Sequence, residues 1–262
     1  MSLYLREEEV SGLVDIRDAI STMERVGESM TKNETIFLPR TRLRMKNGFF
    51  HFMPASLEVD GYFGYKAYTS FKGAARFLVF LFSNNDGELL AIIEGDKLGQ
   101  LRTGAASGVV TKFLAREDST SFGLIGAGYQ AETQLTAALS VHNFSSVSVF
   151  SRNFGHAEKF CEKLEDVSKV KLKAVKNIED AASADVITTA TSALLPVLFR
   201  DMVNPGCHIN AVGGNMLTKR ELDEKLVEAA DLIVIDSREQ GEKECGDFLP
   251  SLEKGKLQWG EV

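Results

Sequence analysis

Apolar residues along this chain repeat in two rhythms, and the rhythm changes once. Before about residue 95 one segment has helical spacing. Ile16, Ile20, Met23, Val26 and Met30 fall three or four apart on one face, and Asp15 stands where an N-cap side chain belongs. The rest of this stretch reads as strands. Asn47-Gly48 separates residues 41–45 from 49–53, and Asp86-Gly87 separates the apolar runs 77–82 and 89–93. Both pairs suit the positive φ angles of a tight hairpin. The pattern predicts a mostly antiparallel sheet with a covering helix.

A long helix is expected over 96–116, carrying Leu98, Leu101, Ala105, Val109 and Leu114. After it, apolar runs at 122–125, 147–150, 170–175, 186–190, 208–212 and 232–235 alternate with amphipathic segments. That beat of strand and helix predicts a parallel, doubly wound sheet. The fold class is therefore α/β, with an N-terminal α/β domain over 1–115, linking helix included, and a second domain over 116–262.

Composition narrows the function. With 44% hydrophobic and 26% charged residues the chain reads as a globular protein in water, and its 262 residues suffice for two ordinary domains. A formal net charge of −7 argues against nucleic acid or an anionic membrane as the main partner. The start, Met1-Ser2-Leu3-Tyr4, leads directly into Arg6-Glu7-Glu8-Glu9 with no apolar leader, and no run is long enough to span a bilayer. Cys161, Cys207 and Cys245 form no C-x-x-C pair, and the four His show no zinc-ligand spacing. The expectation is a cytoplasmic protein with reduced thiols and no metal.

The most informative motif is Gly126-Ala127-Gly128-Tyr129-Gln130-Ala131, between the run 122–125 and a helix through Leu135, Ala138 and Leu139. Gly126 permits a tight turn, and Gly128 lets backbone approach a pyrophosphate at the helix N-terminus. Ala131 still allows close helix–strand packing. A G-x-G-x-x-A alone is weak evidence. Inside a complete strand–turn–helix–strand unit it predicts a dinucleotide site in a Rossmann domain. NAD-specific folds end the next strand with a carboxylate for the ribose 2′-OH. Here residues 147–150 lead into Ser151-Arg152-Asn153, with His156 one turn on. A guanidinium there suits a 2′-phosphate, so NADP(H) is expected to be preferred over NAD(H).

These features resemble the ornithine cyclodeaminase/mu-crystallin family along essentially the whole chain. The matching segments include Leu38-Pro39-Arg40-Thr41, Met53-Pro54-Ala55, Gly64-Tyr65-Lys66 and Leu101-Arg102-Thr103-Gly104-Ala105-Ala106-Ser107. Further on they include Gly206-Cys207-His208-Ile209-Asn210-Ala211-Val212-Gly213 and Arg220-Glu221-Leu222-Asp223. The resemblance implies a homodimer built through the N-terminal domain, with a small amino-acid-like carboxylate lying between that domain and the cofactor. It implies that Arg40 and Lys66 are catalytic and substrate-binding, that Arg102 also binds substrate, and that Arg102 and Thr103 lie near the cofactor phosphates. It also implies cofactor contacts from Ala127, Tyr129, Gln130, Thr189, Thr191, Val212 and Gly213. An Arg can hold a carboxylate bidentately, and a Lys can protonate the nitrogen or oxygen on a reacting carbon.

Two departures matter. Ornithine cyclodeaminases place a catalytic Asp after the strand equivalent to 208–212, where this chain has Asn215 in Gly213-Gly214-Asn215-Met216. Family members also continue beyond a Gly-Glu-Val like Gly260-Glu261-Val262, with a segment expected to line the cleft. Three functions follow as expectations: an NADPH-dependent oxidoreductase acting on an imine or 2-oxo/amino acid carbon, ornithine cyclodeaminase proper, or a non-catalytic NADPH-binding protein.

Overall fold

The computed structural model describes residues 2–262. The chain passes from one compact unit to a second between Ala106 and Ser107, inside a helix, and the boundary expected near residue 115 lies at that helix's far end.

In the first unit the elements are β1 (Leu3–Leu5), α1 (Glu7–Leu13), α2 (Ile16–Thr31), β2 (Thr35–Phe37), β3 (Thr41–Met45), β4 (Gly48–Leu57), β5 (Tyr62–Phe71), β6 (Ala74–Ser83) and β7 (Leu89–Glu94). Six strands run in the order β1-β7-β6-β5-β4-β2, and β3 makes a hairpin with β4. Only β1, beside β7, pairs in parallel. The Asp15 carboxylate accepts from the Arg17 and Asp18 amides and so starts α2 as its sequence foretells. Helix α1 was not foreseen. Its Glu7 amide donates to Glu94 at 2.9 Å, and the Glu7 carboxylate accepts from the Asp96 amide at 3.0 Å, capping α3 (Asp96–Leu114).

The second unit contains β8 (Ser121–Ile125), α4 (Tyr129–Val141), β9 (Ser146–Phe150), α5 (Phe154–Ser168), β10 (Leu172–Val175), α6 (Glu179–Ala182), β11 (Val186–Thr189) and β12 (His208–Ala211). Three short helices follow: α7 (Glu224–Glu228), α8 (Arg238–Glu244) and α9 (Leu249–Glu253). All strand pairs are parallel, in the order β10-β9-β8-β11-β12. Alternate residues serve two cores. Phe122, Leu124, Val147 and Val149 pack with Leu135 of α4 and Phe160 of α5, whereas Ile125, Val175 and Ile187 pack with Ala181, Leu198 and Leu226. At Gly123 the sheet meets α6 backbone to backbone, for a Cβ there would lie 1.8 Å from the Ala181 carbonyl oxygen. Asp185 secures the amino ends of the strands. Its carboxylate accepts from the Ser121 amide at 3.0 Å and hydroxyl at 2.7 Å, and from Arg116 at 3.2 Å.

One expectation fails. Residues 232–235 join no ladder, and Leu232 and Val234 are 66% and 54% exposed. Apolar alternation shows that a segment can be a strand. It does not supply the neighbouring edge whose amides and carbonyls would make it one.

Candidate active site

The two groups of residues singled out for chemistry fall in different units. In the first unit, register sets the arrangement. Met53, Lys66 and Val79 are aligned across β4, β5 and β6, and the next row on that face is Arg42, His51, Tyr68 and Phe77. The Lys66 ammonium lies 5.6 Å from the Tyr68 ring centre and 5.9 Å from that of Phe77. Arg40, in the segment linking β2 to β3, has its guanidinium carbon 5.9 Å from the Tyr68 centre, and its Nε is 3.4 Å from the Met53 sulfur. One aromatic ring thus gathers both cations. This is an arrangement able to hold a carboxylate beside a polarisable double bond.

Under this pair lies a residue that the sequence did not mark. His51 is buried, stacks on Tyr68 with 4.0 Å between ring centres, and has Nε2 2.9 Å from the Ser70 hydroxyl. Burial, then the charges of Arg42, Arg40 and Lys66, push its pKa down to about 4. It is therefore neutral at physiological pH and adds no further positive charge to the cluster of Arg40, Arg42 and Lys66. The signal for Tyr68 was present in the sequence, two residues from Lys66 in a strand. An isolated His in an aromatic strand carried none. Arg102 and Thr103 lie on α3, where Arg102 is exposed and Thr103 donates its hydroxyl to the Gly99 carbonyl.

In the second unit the expected residues collect at the carboxyl ends of the parallel strands. Gly126 leaves β8 with φ +121°, its amide donating to Phe150 at 2.9 Å. A Cβ at Gly126 would meet the Ala190 carbonyl oxygen at 2.3 Å. Ala127 follows, partly buried, and Gly128 caps α4 with no side chain of its own and nothing within 4 Å of a Cβ. First-turn amides of α4 thereby face open space, as anion binding requires. Tyr129 is 49% exposed, while the Gln130 carbonyl oxygen Oε1 is buried without a hydrogen-bond partner. That orphaned acceptor and the uncapped loop fit a bound dinucleotide.

At the end of β9, Ser151 is half-buried and Arg152 exposed. Asn153 caps α5 by accepting from the Gly155 amide at 3.0 Å, and His156 stands exposed in that first turn. The loops after β11 and β12 hold Thr191, Val212 and Gly213. Thr189 is fully buried, and its hydroxyl donates to Glu221 at 2.8 Å, so that side chain holds the loop from within. Asn215 is exposed in the loop beyond Gly213. Glu221 and Asp247, both buried, lie behind these loops and were not anticipated. Burial raises the pKa of Asp247, opposed by the amides of Leu222 and Glu221.

Comparison with known proteins follows the same lines. The model of the ornithine cyclodeaminase/mu-crystallin family matches residues 3–258. Ketimine reductase mu-crystallin of Rattus norvegicus is 34% identical, over 82% of this chain and 70% of its own. An archaeal alanine dehydrogenase dimer with bound NAD superposes with a TM-score of 0.93 at 32% identity, covering 100% of this chain and 82% of the other. Δ1-pyrroline-2-carboxylate reductase of Thermococcus litoralis, in complex with NADH and L-proline, gives 0.92 at 32%, covering 99% and 83%. The glycine loop, the parallel sheet beneath it and this similarity over nearly the full length agree that the chain belongs to the ornithine cyclodeaminase/mu-crystallin family.

Proposed function

We propose that this chain is an NADPH-dependent reductase of an imine or 2-oxo acid carbon that carries a carboxylate. A nicotinamide-dependent oxidoreductase is the reading supported by family membership and by relatives that reduce imines or act on alanine. The observation that carries the chemistry is the placing of Arg40 and Lys66 over one ring, Tyr68. In this reading Arg40 holds the carboxylate and Lys66 protonates the nitrogen of the C=N group. The bound cofactor supplies the hydride. Asn215 speaks against cyclodeamination, because an amide is not a base. The test is a screen of NADPH oxidation against cyclic 2-carboxy imines and 2-oxo acids with ammonia. Turnover supports the reading, and absence of turnover with bound cofactor favours a binding protein.

The preference for NADP(H) rests on Arg152, which is exposed beside the N-terminus of α5 and has no hydrogen-bond or ion-pair partner among the described residues. Solved relatives hold NAD, NADH or NAD+, so Arg152 alone carries the proposed preference. Fluorescence titration is expected to show NADPH binding about ten- to a hundredfold tighter than NADH, the worth of one charge-assisted phosphate contact. Arg152→Ala is expected to remove most of that difference, and equal affinities in the unmodified protein would exclude it.

We also propose that the chain forms a homodimer and works in a reducing compartment such as the cytoplasm. Phe52, Phe63, Tyr65, Phe80 and Phe82 make one aromatic sheet face with ring centres 4.7–6.1 Å apart, only partly buried. A face of that kind suits a symmetry mate. Light scattering is expected to give twice 28.8 kDa, and a stable monomer would refute the dimer. All three cysteines are free, and among the described residues no helix is long and apolar enough to cross a membrane.

A further inference from the structure

Glu221 is a buried ionisable side chain of the second unit held by donors on both oxygens. It is 1% exposed, and both carboxylate oxygens are taken by donors: Thr191 amide at 2.7 Å, Thr189 hydroxyl at 2.8 Å and Gly213 amide at 2.6 Å. All three contacts donate, as a carboxylate requires, and no cation is among its partners. The main chain is fixed as well. The Glu221 amide donates to Asp247 at 2.7 Å, and its carbonyl accepts from Val197 at 2.8 Å and Leu198 at 3.0 Å. The fit leaves no room beside it, since a Cβ on Gly213 would lie 2.6 Å from the carboxylate carbon. A buried anion without a counter-charge is expensive. The position suggests what the charge does.

In a doubly wound sheet the dinucleotide lies across the carboxyl ends of the strands, at the point where strand order reverses. That point falls between β8 and β11, with the phosphate loop after β8 and Arg152 after β9. The remaining half of the cofactor, which carries the nicotinamide, is thus assigned to the loops after β11 and β12 that Glu221 binds. A nicotinamide ring is cationic when oxidised and neutral when reduced.

We infer that Glu221 is a positioning residue for the nicotinamide-side loops whose buried charge also sets the protein's relative affinity for oxidised over reduced cofactor. The inference rests on the dinucleotide reading above. It goes beyond that reading in assigning the redox preference to one residue.

Binding titrations with NADP+ and NADPH test it without any turnover. Glu221→Gln removes the charge in nearly the same shape, while one of its acceptor oxygens becomes an NH2 set against a donor. The ratio of dissociation constants, oxidised over reduced, is expected to rise about five- to twentyfold, the worth of one charge roughly 9–17 Å from the ring at an effective dielectric of about 20. Thr189→Val keeps the charge but removes a donor that screens it, so the ratio is expected to fall. This second variant decides the matter if the first does not fold. A ratio unchanged in either folded variant would overturn the inference, since a purely structural role would weaken both forms alike. The NAD+/NADH pair reads the same ratio, which keeps the result independent of Arg152. If neither pair binds the unmodified protein, the dinucleotide reading falls and takes this inference with it.

Discussion

Lys66→Met is expected to lower NADPH-dependent imine reduction by about a hundred- to ten-thousandfold, the usual worth of a positioned general acid, while leaving NADPH affinity within about twofold. Methionine keeps the length and apolar stem of lysine in the row Met53, Lys66 and Val79, so the sheet register should survive. What disappears is the ammonium that lies 5.6 Å from the Tyr68 ring centre, and with it the proposed proton donor to the substrate nitrogen. Steady-state rates with a cyclic 2-carboxy imine, beside a cofactor titration, measure both quantities. A loss of less than about fivefold would remove Lys66 from the chemistry.

The same assay separates reduction from cyclodeamination. Ring closure of ornithine needs the distal ammonium, with a pKa near that of lysine at about 10.4, to lose a proton before it attacks. Asn215 cannot take it. Ornithine is therefore expected to give no proline with the unmodified protein, and steady proline formation would show that another group serves as the base.

The second large effect concerns Gly126, and it is best read beside Gly128. Alanine at 126 would have to adopt φ +121° with its Cβ at 2.3 Å from the Ala190 carbonyl oxygen, backbone that cannot yield without moving β11. Gly126→Ala is expected to destabilise the dinucleotide-binding unit by about 3–4 kcal/mol and to abolish cofactor binding. Gly128 has extended backbone, φ −95°, and nothing within 4 Å of a Cβ. Gly128→Ala should therefore leave stability within about 0.5 kcal/mol and still weaken cofactor binding, because the methyl enters the space where a pyrophosphate would approach. Thermal unfolding paired with NADPH titration distinguishes them. Equal stability losses would contradict the close approach at 126, and undiminished binding by Gly128→Ala would contradict the phosphate site.

How much of this could be read from the sequence depended on whether the cause was local. The Asp15 cap, the Asp86-Gly87 hairpin and the Gly126–Gly128 turn are local matters of dihedral angle and spacing, and each stands where its residues foretold. The first hairpin turns one residue early, at Lys46-Asn47, with Gly48 already paired to Met45 in β4 and no positive φ at Asn47 or Gly48. The helix α1 was missed because its first amide is satisfied by Glu94, 87 residues away, which no window of neighbours contains. The run 232–235 misled for the complementary reason, having strand composition without a partner edge. In the candidate site, Arg40 and Lys66 were singled out through a family pattern, and in the structure both lie within 6 Å of the Tyr68 ring centre. His51 was illegible, and Glu221, though inside a segment that matches the family, carried no sign of its role. A lone ionisable residue in a strand or loop looks like solvated surface until burial and donors show otherwise.

The contact of Gly123 with α6 bears on how the chain can change over generations. Because the Ala181 carbonyl oxygen occupies the place of a side chain at 123, no substitution there is tolerated on its own, however conservative. Ala181, Ala182 and Ala184 are all buried around it, so enlarging any of them pushes the same backbone against the same strand. The two segments, nearly sixty residues apart, form one mutational unit, in which the effect of each change depends on the state of the other. Drift in this domain must then run through paired substitutions or pass these positions by. The sheet that presents the glycine loop is held constant by the shortage of single steps that leave it.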